Sequence, residues 1–545
     1  MPNSNNKWWS PLAAAIGLMG LSAVSGVAVP VNAVAGAAQQ AAPVSVPGVR
    51  AAPVGQHGFP FMSSVLNLAA SGYVEQEFLI SGTATAYLPV RPFQADGRWD
   101  VKPNPGVTAP YTTRILVRRP VNPERFNGTV LVEWLNESGG FDTASDWLYT
   151  HEELMREGYA YVGVSAQFVG VQALLGWESG PGARYASLFL PGDSFSYDIF
   201  AQAGRSLTLS RGGDPRPLGS LTGRVRTLLA TGFSQSAVLI MTFANAIQPL
   251  SPVYDGFLIH DGGFGAPISI DAGSLNGDPI PGSVPVTPFV DVPYPAQLRT
   301  DLKVPTLILE SEFGVSDDGV GAARSFHLQR DSAHVRIWEM AGATHIEAGW
   351  VQEFTADVDK SLPGFPLQTC DGPPGEPSVV VGRAERAALN ALSHWAAGEQ
   401  VPAPAPRMSL NVPNPADDFD QLVTFNRDPS TNLVMGGIRL PDMAVPTATL
   451  NGNRDELDPQ TLGPGVACGL VGSYDPWNRD ADSWDGQPGF DPSPTPEPDL
   501  QLLYQTHLNY VQRVTGATLK SVQEGYLRPA DAAKVVLDAA RASVP

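Results

Sequence analysis

The residues with the clearest capacity for chemistry are Gly232-Phe233-Ser234-Gln235-Ser236. A short apolar run from Arg226 leads into them, and a second, Ala237 to Ile247, leaves with no Gly or Pro to break a helix. A strand, a sharp turn with Ser at its apex and a helix together form a nucleophile elbow. The turn holds the Ser backbone in a strained conformation and lifts its hydroxyl above the sheet edge. Small residues two before and two after the Ser let strand and helix approach closely. Gly232 fills the first place, whereas Ser236 stands where G-x-S-x-G has its second Gly. The plain alternative is a buried turn whose Ser only caps a helix.

A Ser hydroxyl is a poor nucleophile at neutral pH. It needs a neutral imidazole within hydrogen-bond reach, and the imidazole needs an acid to fix its tautomer. After such an elbow the chain order is Ser, acid, His. His345 follows an expected strand, Val335 to Met340, in the small-residue turn Ala341-Gly342-Ala343-Thr344-His345, and is the candidate base. The acid belongs after the expected strand Val304 to Glu310. Glu310, Glu312, Asp317 and Asp318 qualify by position, and Glu312, just past the strand end, is preferred. Asp261, after the preceding strand Val253 to His260, is the rival. The oxyanion needs two backbone N–H groups. One is expected from Gln235 and the other from the loop Asn136-Glu137-Ser138-Gly139-Gly140.

These side chains require a sheet to hold them. Tyr73 to Ala86 and Tyr111 to Arg119 read as strands. Thr129 to Leu135 and Tyr159 to Ser165 are near-continuous apolar runs, as strands buried on both faces should be. Between them Trp147, Leu148, His151, Leu154 and Met155 recur at helical spacing, and Gly158 supplies a stop. Ser196 to Leu209 and Val379 to Ala397 are further helices. This succession implies an α/β fold with a mostly parallel sheet and helices on both faces. The Gly/Pro-rich connection from Asp261 to Asp301 is long enough to be a lid. Beyond Val401, Gly436 to Leu450 reads as extended, and three helices are expected to start near Leu500, Lys520 and Pro529.

The chain has 545 residues, 43% of them hydrophobic and 16% charged, with a net charge of -20. That core is ample for a globular protein, and the acidity argues against a nucleic-acid partner. Residues 1–35, with Lys7, an apolar run from Pro11 to Val29 and small residues near Ala33, read as a secretory signal peptide. The expected location is therefore secreted or periplasmic, without stable membrane insertion after cleavage. Residues 36–56 read as a flexible leader, 57–400 as the catalytic core and 401–545 as a C-terminal extension. Two cysteines, Cys370 and Cys468, favour one disulfide in an oxidising compartment, with two unpaired thiols as the alternative. No cofactor or metal is expected. His151-Glu152-Glu153 lacks the second His of HExxH, no nucleotide-binding glycine motif occurs, and the acidic stretch 474–499 misses the EF-hand spacing.

The elbow GFSQSA, with YVEQEFLISGTA, GTVLVEWLNESGGFD, SYDIFAQAG, RIWEMAGATH and GGIRLPDMAVPTATLNG, resembles the secreted bacterial "alpha/beta hydrolase domain" family, whose elbow reads GESQSA. The resemblance covers nearly everything after about Gly58, so the C-terminal part belongs to the same family domain. It implies an α/β-hydrolase fold and a serine hydrolase of carboxylic esters, with Ser234 as nucleophile and His345 as base. It also supports pairing Cys370 with Cys468. The family tends to show TETD where this chain has Ser311-Glu312-Phe313-Gly314, so Glu312 or Asp261 must supply the acid. The expected substrate is a small ester with a hydrophobic part. Amide or lactone cleavage uses the same groups. A non-catalytic hydrolase-like binding protein is the alternative from another class.

Overall fold

A computed structural model of the chain describes residues 44–262, 296–315, 327, 329–365, 380–411, 424–452, 470–477 and 498–545. Among these, nine strands form one sheet: β1 (Gly48–Ala51), β2 (Tyr73–Pro89), β3 (Val101–Pro120), β4 (Thr129–Trp134), β5 (Ala160–Val164), β6 (Thr227–Phe233), β7 (Gly256–His260), β8 (Thr306–Glu310) and β9 (Val335–Glu339). Their order is β1-β2-β3-β5-β4-β6-β7-β8-β9. The first three are antiparallel, β3 meets β5 antiparallel, and all pairs from β5 through β9 are parallel. β4 to β8 are buried along their whole length, which is why they read as apolar runs without alternation.

Four helices follow the strands that matter to the site: α1 (Ser145–Glu157), α2 (Phe168–Trp177), α3 (Ser196–Thr208) and α4 (Gln235–Thr242). α1 ends where Gly158 takes φ 77°, a left-handed value that a side chain resists. A Cβ there would also stand 1.8 Å from the Arg125 carbonyl oxygen, so the stop is doubly fixed as glycine. α4 is buried from Ser236 to Thr242, in keeping with its lack of a polar face, and continues as one π turn to Ile247. α2 was not anticipated. Its apolar side chains are spread around the helix and give no helical period.

The structure redraws three segments. The supposed leader contributes β1, whose Gly48–Ala51 pair with Ser81–Phe78 of β2. Gly436 to Leu450 is only partly extended, because Pro441–Ala444 forms a short helix before the strand Ala448–Asn451. The helix expected to begin near Lys520 begins at His507 and runs to Gln523, with Thr506 capping it by accepting from Asn509 N. The C-terminal residues share one buried cluster with the sheet. Trp338 and Met340 pack with Ile438, Leu440, Trp477, Tyr504 and Tyr526. The signal peptide, the Cys370–Cys468 pairing, Asp317, Asp318, most of the 262–301 connection and most of the acidic 474–499 stretch lie outside the described residues.

Arg114 on β3 carries the heaviest polar load of the core. Its Nε and Nη2 donate to Asp142 Oδ2 at 3.0 and 2.7 Å, and its Nη1 to Glu77 Oε1 at 3.1 Å and the Phe61 carbonyl at 2.8 Å. Removing one partner from a buried ionic group leaves uncompensated charge. Arg114→Ala is therefore expected to lose about 3–5 kcal/mol in urea denaturation. Arg224→Ala, which breaks an exposed pair with Glu124, should leave the midpoint unchanged.

Candidate active site

Ser234 follows the last residue of β6 and takes φ 56° and ψ -121°, a strained conformation held by its surroundings. Its N–H donates to the His260 carbonyl at 2.9 Å, tying the turn to β7. A Cβ at Gly232 would meet Ser236 O at 2.7 Å, so only glycine lets the chain fold back here. Ser236 has its own reason for replacing Gly. Its hydroxyl lies 3.0 Å from both the N–H and the carbonyl oxygen of Phe233 and clasps the turn.

His345 arrives in the turn after β9 and is 2% exposed. Its Nδ1 is 2.8 Å from Asp261 Oδ2. The carboxylate accepts, so Nδ1 donates and Nε2 is left as the basic nitrogen. The ring lies against Phe233, the neighbour of Ser234, at 4.5 Å between centroids, and against Phe313 at 4.7 Å. Tyr149 of α1 donates its hydroxyl to the His345 carbonyl at 2.9 Å. Phe313 and Tyr149 carried no sequence signal for this role, because both read as ordinary core aromatics.

The structure brings Asp261, not Glu312, to the imidazole. Asp261 sits just past β7 with φ 49°, and also accepts from Ser311 N at 2.6 Å and Ser311 Oγ at 2.7 Å. Burial alone would raise its pKa. The His345 hydrogen bond and charge, with help from His260 and Ser311 N, hold it below the ordinary carboxylate range. Glu312 points the other way, accepting from Gly452 N at 3.1 Å, Gly342 N at 2.5 Å and Arg427 Nη2 at 3.4 Å. The preference for Glu312 failed because position after β8 does not say which way a side chain turns. Glu312 instead fastens the C-terminal region to the turn that carries His345.

The N–H of Gln235 opens α4 and is one of the donors a helix start leaves free. Within the β4 loop most donors are committed. Asn136 N donates to Thr143 O at 2.9 Å, Ser138 N to Asn136 Oδ1 at 2.8 Å, and Gly140 N to Glu137 O at 2.9 Å. Asn136 Nδ2 donates to Phe233 O at 2.8 Å and locks the loop to the elbow. Glu137 N meets only the Gln235 side-chain oxygen, at 3.4 Å, and is a loop donor that an oxyanion could recruit. Gly139 N has no bond among the described residues. The Glu137 side chain is buried. Burial, then the nearby Asp142 carboxylate, push its carboxyl well above the usual range.

Behind the elbow, His260 lies 3.1 Å from Glu385 and 3.5 Å from Asp146. These three could group around a cation, since their ligand atoms lie within 4.8 Å of one another. A charged imidazolium accounts for the same contacts. Burial opposes charge on His260, but Glu385 and Asp146 outweigh it and hold its pKa well above normal. No helix among the described residues is long and apolar enough to cross a membrane.

A strand–turn–helix Ser on a mostly parallel sheet, with a carboxylate-bound His presented from the next turns, defines the α/β-hydrolase class. A family model described as "Alpha/beta hydrolase domain" matches residues 44–537, and the chain belongs to that family of hydrolases. Among curated proteins, none matches it. Part of it is similar to most of the length of several solved structures. A serine hydrolase from Xanthomonas campestris has 13% identity over 47% of this chain and 92% of that one, with a TM-score of 0.26. A dienelactone hydrolase from Anabaena variabilis has 13% identity over 45% and 87%, with a TM-score of 0.27. Est1E from Butyrivibrio proteoclasticus has 14% identity over 45% and 92%, with a TM-score of 0.25.

Glu347, two residues past His345, is buried and accepts from Gly382 N at 3.3 Å. Burial raises its pKa to about 7, against smaller opposing effects of Gly382 N, Arg386 and Arg383. Between the usual Glu range and pH 7 the folded chain keeps a proton here that the unfolded chain releases. Stability therefore falls as pH rises through that window. Between pH 5 and pH 8, wild type is expected to lose about 2–3 kcal/mol more than Glu347→Gln in urea denaturation.

Proposed function

We propose that this chain is an exported serine hydrolase that cleaves carboxylic esters of small molecules through an acyl-enzyme. Ser234 attacks the acyl carbonyl while His345 Nε2 takes its proton. Asp261 fixes the imidazole tautomer and offsets the charge that forms on it. The Gln235 N–H, with Glu137 N–H as second donor, receives the oxyanion. His345 then protonates the departing alcohol, and water, activated by the same imidazole, releases the acid. The observation that carries this reading is the 2.8 Å Asp261–His345 bond beside a Ser held at φ 56°. Strain of this kind is retained where the surroundings enforce it, and it gathers at functional sites. Export follows from the leading 35 residues as read from sequence. Amides and lactones would pass through the same acyl-enzyme and are distinguished by the leaving group alone.

A fluorophosphonate probe should label wild type at Ser234 and leave Ser234→Ala unlabelled. With a short p-nitrophenyl ester, Asp261→Asn is expected to lower kcat/KM by about 10³-fold or more, while Glu312→Gln stays within about tenfold. Equal losses in the two carboxylate variants would reject Asp261 as the acid. A wild-type protein that neither labels nor turns over would leave the binding-protein reading.

A further inference from the structure

β8 ends in a buried carboxyl that the reaction above does not use. Glu310 is 1% exposed, and neither of its oxygens has a hydrogen-bond partner among the described residues. It faces Asp261. A Cβ built on Gly314 would stand 2.2 Å from Glu310 Oε2 and 2.5 Å from Asp261 Oδ1. Oxygens of the two carboxyls thus crowd the spot where a Gly314 side chain would begin. Gly314 is what leaves that spot open.

Two carboxylates so close in a dry site cannot both be ionised. Asp261 collects the donors: Ser311 N, Ser311 Oγ and His345 Nδ1. Glu310 has only the Gly262 N–H beside it, outside good hydrogen-bond geometry, so the shared proton rests on Glu310. Burial, followed by the Asp261 charge, pushes the Glu310 carboxyl well above its usual range, and Glu339 adds to this, while His260 and Gly262 N oppose it. The other groups nearby are already paired. Glu339, opposite Glu310 on β9, pairs with His327 at 2.9 Å and Arg407 at 3.1 Å. His260 is taken by Glu385 and Asp146.

We propose that Glu310 is a positioning residue for the hydrolytic reaction: as the neutral acid it donates its proton to Asp261 Oδ1 and steadies the carboxylate that orients His345. The proposal rests on the roles given above to Asp261 and His345. Oδ1 has a second lone pair beyond the one used by Ser311 N, so the bond completes the shell of Asp261. The donor also draws charge from the carboxylate. Without it Asp261 stabilises the imidazolium form of His345 more strongly, and the base is lost to protonation at a higher pH.

The test is the second-order rate of fluorophosphonate labelling at Ser234 from pH 5 to 9, in wild type, Glu310→Gln and Glu310→Leu, with circular dichroism to verify folding. Glu310→Leu is expected to move the acid limb upward by about half to one pH unit, slowing labelling at pH 6 by about 3–10-fold. Glu310→Gln, whose amide donates as the neutral acid does, should stay within about threefold at every pH. Superimposable profiles for Glu310→Leu and wild type would overturn the proposal, as would a Glu310→Gln loss equal to that of Glu310→Leu. If Glu310→Leu does not fold, Glu310→Gln decides alone. Retention within threefold supports the donor role, and any larger loss marks Glu310 as an ionised acceptor and overturns it. Wild type that never labels rejects the reaction itself and Glu310's part in it, a result distinct from labelling without a shift.

Discussion

Asp261 carries a charge with no access to water, and the surrounding site is arranged to satisfy it. A buried carboxylate is tolerated only where donors replace its hydration shell. Here the donors come from two separate elements: Ser311 N and Oγ just past β8, and His345 in the turn after β9. Each must be brought to within hydrogen-bond distance at once, which couples the ends of three adjacent parallel strands. The imidazole orientation is thus a by-product of solvating one carboxylate inside the protein. Phe233, stacked on the imidazole, and Phe313, tilted against it, shield the pair from water and leave the bond short of competition.

The same rule recurs through the core. Arg114 is matched to Asp142 and Glu77, Arg118 to Glu75, and His260 to Glu385 and Asp146. Where no cation pairs directly with the carboxyl, burial raises it instead, as at Glu137, Glu310 and Glu347. Two of these neutral acids flank the candidate site, one in the β4 loop and one behind Asp261. The strain at Ser234 is held by the same framework, through Ser236 within the turn and His260 O from the next strand.

The strand–turn–helix of the elbow, the parallel strands and most core helices were legible in the sequence because they are local. A fully buried strand needs only an apolar run, and α1 needs only its 3.6-residue spacing and Gly158. α2 escaped because an apolar residue on every side leaves no period. The edge strand β1 escaped because Ala, Pro and Val in a row read the same in a leader as in a strand. The C-terminal helix beginning at His507 was placed late, since its cap at Thr506 has no acidic partner in the usual spacing to mark it.

By itself the sequence determined which residue types could react and the order in which they enter the site: a Ser in a turn opened by glycine, then carboxylates, then a His in a small-residue turn. Both facts depend only on chain neighbours. Which carboxylate meets the imidazole was decided by the tertiary structure. Glu312 and Asp261 both carry a carboxyl, and both follow a core strand. They differ in direction: Asp261 is turned toward His345 by its positive φ and by Ser311, while Glu312 is drawn away by Gly342, Gly452 and Arg427. Those partners lie 30 to 140 residues from Glu312 along the chain, and only folding brings their donors to it.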